Sequence, residues 1–159
     1  MKRLKQVGIL AAGMAVASLG VTAEVTVAET DEQVRMAVDA RQSVMKLVGW
    51  NMGPLGGMLR NPDTFDAEVA ERSATRINDL SRMVVDAFSV DTSGSDADTE
   101  SLPGIWDGWS DFQDKAQALV DTSGALAEVA ATGDQGDTLG AIGRMGQACG
   151  GCHDDYRED

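Results

Sequence analysis

Histidine, cysteine and aromatic side chains are scarce in this chain: one His, two Cys and an aromatic fraction of 4%. Each scarcity closes off a class of chemistry. A structural zinc site asks for four ligands, and Cys149, Cys152 and His153 exhaust the thiols and imidazole, so Asp154 or Asp155 would have to complete it. A disulfide between the two cysteines leaves the adjacent imidazole without a purpose. A thioredoxin-like pair wants a βαβ setting with the cysteines at a helix start, and no stretch upstream of Cys149 reads as a convincing strand. Gly53, Gly56 and Gly57 are not a phosphate loop, because no strand precedes them and no Lys-Ser/Thr follows. Counted from Asp91, a calcium loop would want glycine where Asp96 stands and glutamate where Leu102 stands.

Basic residues are also in short supply. Lys and Arg number 13 against 26 Asp and Glu, a formal net charge of −13 that becomes three units more negative once Lys2, Arg3 and Lys5 depart with a leader. Such a surface repels nucleic acid and anionic membranes and favours solubility and basic partners. Most of these carboxylates read as solvated helix faces.

What is present is concentrated at the carboxyl end, in Cys149-Gly150-Gly151-Cys152-His153. Two thiols three residues apart suit two thioether bonds to a haem, and the adjacent imidazole suits its iron, which is the pattern of c-type haem attachment. On a helix these three residues share one face, with Arg157 a turn further on. Gly150 and Gly151 cost that helix ~1 kcal/mol each relative to alanine, and they leave backbone room beside a macrocycle. A covalently held porphyrin also supplies the flat apolar bulk that so few Phe and Trp provide, with alanine, glycine and methionine packing around it.

Met1 to Ala23 reads as a secretory signal peptide: Lys2, Arg3 and Lys5 form the charged start, Val7 to Leu19 the apolar stretch, and Val21-Thr22-Ala23 the small-residue exit. Thr26-Val27-Ala28 is a second possible exit, so cleavage falls at 23 or as late as 28. The apolar run is short of the ~20 residues a membrane span needs, which predicts export to the periplasm without stable membrane insertion.

Residues 30–159 predict a single domain. Thr30 or Asp31 caps a first helix running to about Val48, with Val34, Val38, Arg41, Met45 and Val48 on one stripe. Arg41 either snorkels to water from the edge of that stripe or partners a haem propionate. Met45 either packs as core or presents its thioether to the iron. The glycine-rich stretch Gly49 to Asn61 predicts a loosening or break. A second helix is expected from Asp63 or Thr64 to Phe88, an acidic surface loop from Val90 to Gly104, a third helix from Asp107 to Ala131 ended by Gly133, and a fourth from Asp134 or Asp137 to the haem motif. The expected fold is all-α, an antiparallel four-helix bundle with covalently bound haem c.

The sequence resembles the class II cytochromes c, and the cytochrome c′ family in particular. The likeness rests on Arg41-Gln42-x-x-Met45, Gly49-x-Asn51-Met52-Gly53, Thr99-Glu100 before Ile105-Trp106, and Cys149-Gly150-Gly151-Cys152-His153-Asp154-Asp155-Tyr156-Arg157, which together span nearly all of the chain after the leader. The resemblance implies that Cys149 and Cys152 bind one haem c, that His153 is the proximal iron ligand and that Arg157 lies beside it. It implies that Arg41 and Gln42 meet the haem edge or propionates and that Thr99 and Glu100 make further contacts. Met45 takes the position that guards the distal face. In most of the family that guard leaves a five-coordinate, high-spin iron, and in low-spin members a methionine of the first helix is the sixth ligand.

The expected function is one-electron transfer by a periplasmic mono-haem protein that binds NO and CO at an open iron position. The alternative is a low-spin electron carrier with Met45 on the iron. No enzyme activity is expected, because no His or second Arg is evident on the distal side to act as acid or base on peroxide. Redox partner proteins are expected, and a homodimer through the first two helices is implied by the resemblance.

Overall fold

A computed structural model describes residues 23–158. The leader expected for residues 1–23 lies outside the described residues except for Ala23, as does Asp159.

The first helix, α1 (Asp31–Arg60), begins at a reciprocal capping box. Thr30 Oγ1 accepts from the Gln33 amide at 3.2 Å, and Gln33 Oε1 accepts from the Thr30 amide at 3.2 Å, which satisfies two of the amides a helix start leaves free. The break expected from Gly49 does not occur. Asn51, Leu55 and Met58 continue the buried stripe of Val44 and Val48, so tertiary burial outweighs the poor helix preference of the glycines. Pro54 removes one amide from the ladder, but it and Trp50, whose carbonyl loses that partner, are both exposed to water. The helix stops where Asn61, extended ahead of Pro62, donates its amide back to the Gly57 carbonyl at 2.9 Å.

The single second helix expected from Asp63 to Phe88 is three pieces. A 3-10 turn covers Pro62–Thr64, Asp66 rather than Asp63 or Thr64 caps α2 (Ala67–Ser81), and α3 (Val84–Phe88) follows. The division falls where the Ser81 hydroxyl bonds back to the Asn78 carbonyl at 2.8 Å, a local alternative to the helical ladder. A second departure is a pair of two-residue parallel strands, β1 (Thr26–Val27) and β2 (Val90–Asp91). They are too short to leave an alternating pattern in the sequence.

After the acidic loop, α4 (Gly104–Asp107) leads through Gly108 into α5 (Trp109–Ala130). A Cβ at Gly108 would stand 3.2 Å from the Gly104 carbonyl and 3.3 Å from the Tyr156 hydroxyl, so a larger residue at this joint would press both neighbours back by a few tenths of an ångström. Gly133, at φ +78°, turns the chain as expected, and Asp134 caps α6 (Gln135–Tyr156).

α1, α2, α5 and α6 form the four-helix bundle, its centre filled by Leu55, Ile77, Leu126, Ile142 and Met145, each almost fully buried. α2 packs along α5, α5 along α6 and α1 along α2, whereas α1 and α6 meet over a much shorter stretch. Three seams are closed and the fourth is parted.

Candidate functional site

The parting between α1 and α6 opens into a cavity of about 590 Å³. All nine residues singled out from the sequence line it. α6 contributes Cys149, Cys152, His153 and Arg157; α1 contributes Arg41, Gln42 and Met45; and the loop after β2 contributes Thr99 and Glu100. The remaining surface is mostly apolar, with Val48, Phe88, Ile105, Phe112, Ala116 and Leu119 among its walls.

Cys149 and Cys152 are free thiols, half-buried and packed against the core. Burial pushes both thiols up from their ordinary pKa, and at Cys152 the Lys115 ammonium works in the opposite direction. Burial pushes the His153 imidazole down, and the neighbouring Arg157 cation adds to that. The neutral ring, which has a lone pair for a metal, is therefore the favoured form.

Among the described residues, no group of three or more His, Cys, Asp and Glu converges on a point where an ion could sit. Two thiols and one imidazole on a wall of a large apolar cavity fit a flat body held by thioethers and one axial bond.

Arg41 does not snorkel. It is 2% exposed, its Nε donates to the Ala87 carbonyl at 3.3 Å, Nη1 to Thr92 Oγ1 at 2.9 Å, and Nη2 to the Val90 carbonyl. The guanidinium lies 4.9 Å from the centroid of Trp106 and 5.4 Å from that of Phe88, within cation–π range. Burial brings its pKa down to about 10, with Asp91 opposing the fall, so it stays charged at neutral pH. Its first task is to tie α1 to the segment joining α3 and β2. β1 fastens the same segment from the other side, through Thr26 N–H to the Ser89 carbonyl and Ala28 N–H to the Asp91 carbonyl, each at 2.9 Å.

The loop carrying Thr99 and Glu100 is laced to the end of α6. Arg157 Nε donates to Glu100 Oε2 at 2.7 Å, the Glu158 amide to the Glu100 carbonyl at 2.8 Å, and the Leu102 amide to the Tyr156 carbonyl at 3.0 Å. Arg157 is thus an exposed ion-pair partner as well as a neighbour of His153. Thr99 lines the cavity while its hydroxyl oxygen accepts from the Ser101 amide at 3.2 Å.

Several cavity residues were not singled out from the sequence. Tyr156 stands in the sequence only as a member of the carboxyl-terminal motif, yet its hydroxyl donates to Asp111 Oδ2 at 2.6 Å and its ring packs edge-on to Phe112. Lys115 was not singled out at all. The available signal was its isolation: no other Lys or Arg lies between Arg82 and Arg144.

A family model described as Cytochrome C' matches residues 36–157. Cytochrome c-554 of Cereibacter sphaeroides is 31% identical over 133 residues, covering 82% of this chain and 86% of that protein. The solved structure of cytochrome c prime from Shewanella frigidimarina superposes with a TM-score of 0.70 at 35% identity, over 77% of this chain and 94% of that one. A nitric oxide complex of a mutant cytochrome c prime from Alcaligenes xylosoxidans gives a TM-score of 0.66 at 28% identity, over 77% and 94%. A cytochrome c' described as having ligand-controlled dimer dissociation gives 0.69 at 28% identity, over 77% and 95%.

Two predictions follow from the side chains just described. Arg41→Met leaves two backbone carbonyls and the Thr92 hydroxyl without their donor, and denaturant unfolding is expected to show a loss of about 2–4 kcal/mol. The Tyr156 phenol, pushed up from 10 to about 12 by burial and then by Asp111, is expected to ionise near 12 in an alkaline absorbance titration. Its contribution to stability is complete below pH 10 and lost as the pH rises through about 12. Asp111→Asn should bring the titration back toward 10.

Proposed function

The chain belongs to the cytochrome c′ family of haem electron-transfer proteins, which carry one covalently bound haem c, and from that premise we propose that it is an exported, periplasmic electron carrier with an open iron position for NO or CO. In this reading Cys149 and Cys152 would hold the haem through thioethers, and His153 would bind its iron. Met45 on the facing helix guards the other side without binding the iron. The observation that carries the reading is that Cys149, Cys152 and His153 on α6 and Met45 on α1 line one largely apolar cavity. Bound there, the haem supplies a reversible one-electron couple and a coordination position for a small ligand.

The chain's own residues set the conditions. Val48, Phe88, Ile105, Phe112 and Leu119 keep the cavity dry, which favours small neutral ligands over ions and bulky ones. Arg41, with three bonds already made, Arg157, paired with Glu100, and His153, assigned to the iron, leave no imidazole or unpaired guanidinium at the cavity to move protons on peroxide. That supports a carrier over an enzyme. The relative crystallised with nitric oxide gives the gas reading independent support. A low-spin carrier is the second reading, favoured by the thioethers of Met45 and Met52 on the cavity wall.

Export has support of its own. The charged, apolar and small-residue succession before Ala23 is that of a leader, and among the described residues no helix is long and apolar enough to cross a membrane. Cleavage after Ala23 keeps β1 and its bonds to Ser89 and Asp91, whereas cleavage after Ala28 would remove them.

A homodimer is supported by the outer face of α1. Met36, Ala40, Ser43, Leu47, Trp50, Pro54 and Gly57 alternate at spacings of four and three, and none is charged. Trp50 is 79% exposed and Met36 66%. This is the seam on which a second helix packs, and one structural relative is described as a dimer.

Reduced protein is expected to shift its Soret band on addition of CO or NO, with Met45→Leu leaving the spectrum before addition unchanged. An unshifted band, together with conversion of a low-spin spectrum to high-spin in Met45→Leu, would establish the second reading instead. Sedimentation of Trp50→Glu is expected to show monomer where the unaltered protein sediments as dimer.

A further inference from the structure

Lys115 is the one cation of α5, and it stands at the haem-bearing turn. It precedes Ala116 of the buried seam, is half-buried, and lines the cavity beside Cys152. Its Nζ donates to the Gly151 carbonyl at 3.0 Å and pairs with Asp155 Oδ2 at 2.8 Å. Asp111 Oδ2, which also receives the Tyr156 hydroxyl, is 3.9 Å from the same nitrogen.

Gly151 and Asp155 are one helical turn apart and bracket Cys152 and His153. One ammonium therefore spans the turn that holds an anchor and the axial ligand. That turn has the least helix preference in α6, since Gly150 and Gly151 each cost it ~1 kcal/mol relative to alanine. Neither glycine has anything within 4 Å of where a Cβ would stand, so the pair brings no packing of its own between the two cysteines, and the Lys115 bond to the Gly151 carbonyl adds a tie from the neighbouring helix.

Resting on the assignment of Cys149, Cys152 and His153 as the haem-binding residues, we propose that Lys115 is a positioning residue for the proximal turn, and that its positive charge biases the iron toward the ferrous state. A nearby cation disfavours the oxidised form, which carries one more positive charge than the reduced form. Removing the cation also leaves Asp111 and Asp155 uncompensated at the same place, and that change has the same sign.

The test is a spectroelectrochemical titration of the haem-loaded, full-length protein with Lys115→Met and Lys115→Arg, each also followed through thermal unfolding. Lys115→Met is expected to move the ferric/ferrous ratio at a fixed potential severalfold toward ferric. Lys115→Arg, which keeps charge and donors, should stay close to the unaltered protein. An unshifted potential in Lys115→Met, even with a lower unfolding temperature, overturns the proposal, and so does an equal shift in both variants. If Lys115→Met does not acquire haem, Lys115→Gln keeps a donor for Gly151 without the charge. A shift toward ferric in that variant supports the proposal and no shift overturns it. Colourless unaltered protein would overturn the haem assignment itself, whereas coloured protein with unshifted variants overturns the role of Lys115 alone.

Discussion

The separation of α1 from α6 is the constraint on which the rest of the structure turns. A four-helix bundle gains stability by closing its seams, and here one remains open over about 590 Å³. The side chains that line it are mostly apolar, so leaving it to water is unfavourable and covering those surfaces is a gain. A bulky apolar occupant is therefore part of the fold. That occupant also accounts for the thin aromatic content, since Phe88, Phe112 and Tyr156 stand at the cavity wall rather than in the centre of the bundle.

Two cations keep this open frame in shape, and both do so by serving backbone carbonyls. Arg41 reaches from α1 to the Ala87 and Val90 carbonyls, and Lys115 reaches from α5 to the Gly151 carbonyl. Each acceptor lies where the regular ladder ends or is weakened: in the last turn of α3 and just past it in one case, in a glycine pair in the other. A buried guanidinium would be costly alone, but here hydrogen bonds and two aromatic faces replace its water. The same positive charges thereby shape the walls of the cavity from two sides.

The site was more legible in the sequence than the path of the backbone. Cys149, Cys152 and His153 are the only residues of their types, so their spacing had no competing explanation of comparable weight. The stripe of α5 was equally plain, because Phe112, Ala116, Leu119, Leu126 and Ala130 recur at helical spacings of four, three, seven and four and are buried together. The extension of α1 was hidden, since Gly49, Gly53, Pro54, Gly56 and Gly57 read locally as a turn, while the burial of Asn51, Leu55 and Met58 depends on helices distant in sequence. The division after Ser81 and the β1–β2 pair were hidden for a related reason. One depends on a hydroxyl choosing its own helix's carbonyl, and the other on two dipeptides meeting only once the bundle has formed. Arg41 was found but half understood: the stripe left it either snorkelling from the edge or meeting a propionate, and nothing in the sequence showed that Ala87, Val90 and Thr92 would receive it.

The charge of the chain separates into two populations with different consequences. Carboxylates spread over the outer helix faces are screened within about 10 Å at 0.1 M salt. They govern solubility and the speed with which a basic partner arrives, far more than the energy of a group buried in the cavity. Charges at the cavity are fewer and nearer to whatever it holds. Arg157 pairs with Glu100 and Lys115 with Asp155, Arg41 stands buried with the field of Asp91 on it, and Lys46 and Asp98 add a charge of each sign to the wall. A charge at the wall acts over a shorter distance and through less water than one on an outer helix face. Its sign and position therefore weigh more on an occupant of the cavity than the large negative total of the chain does.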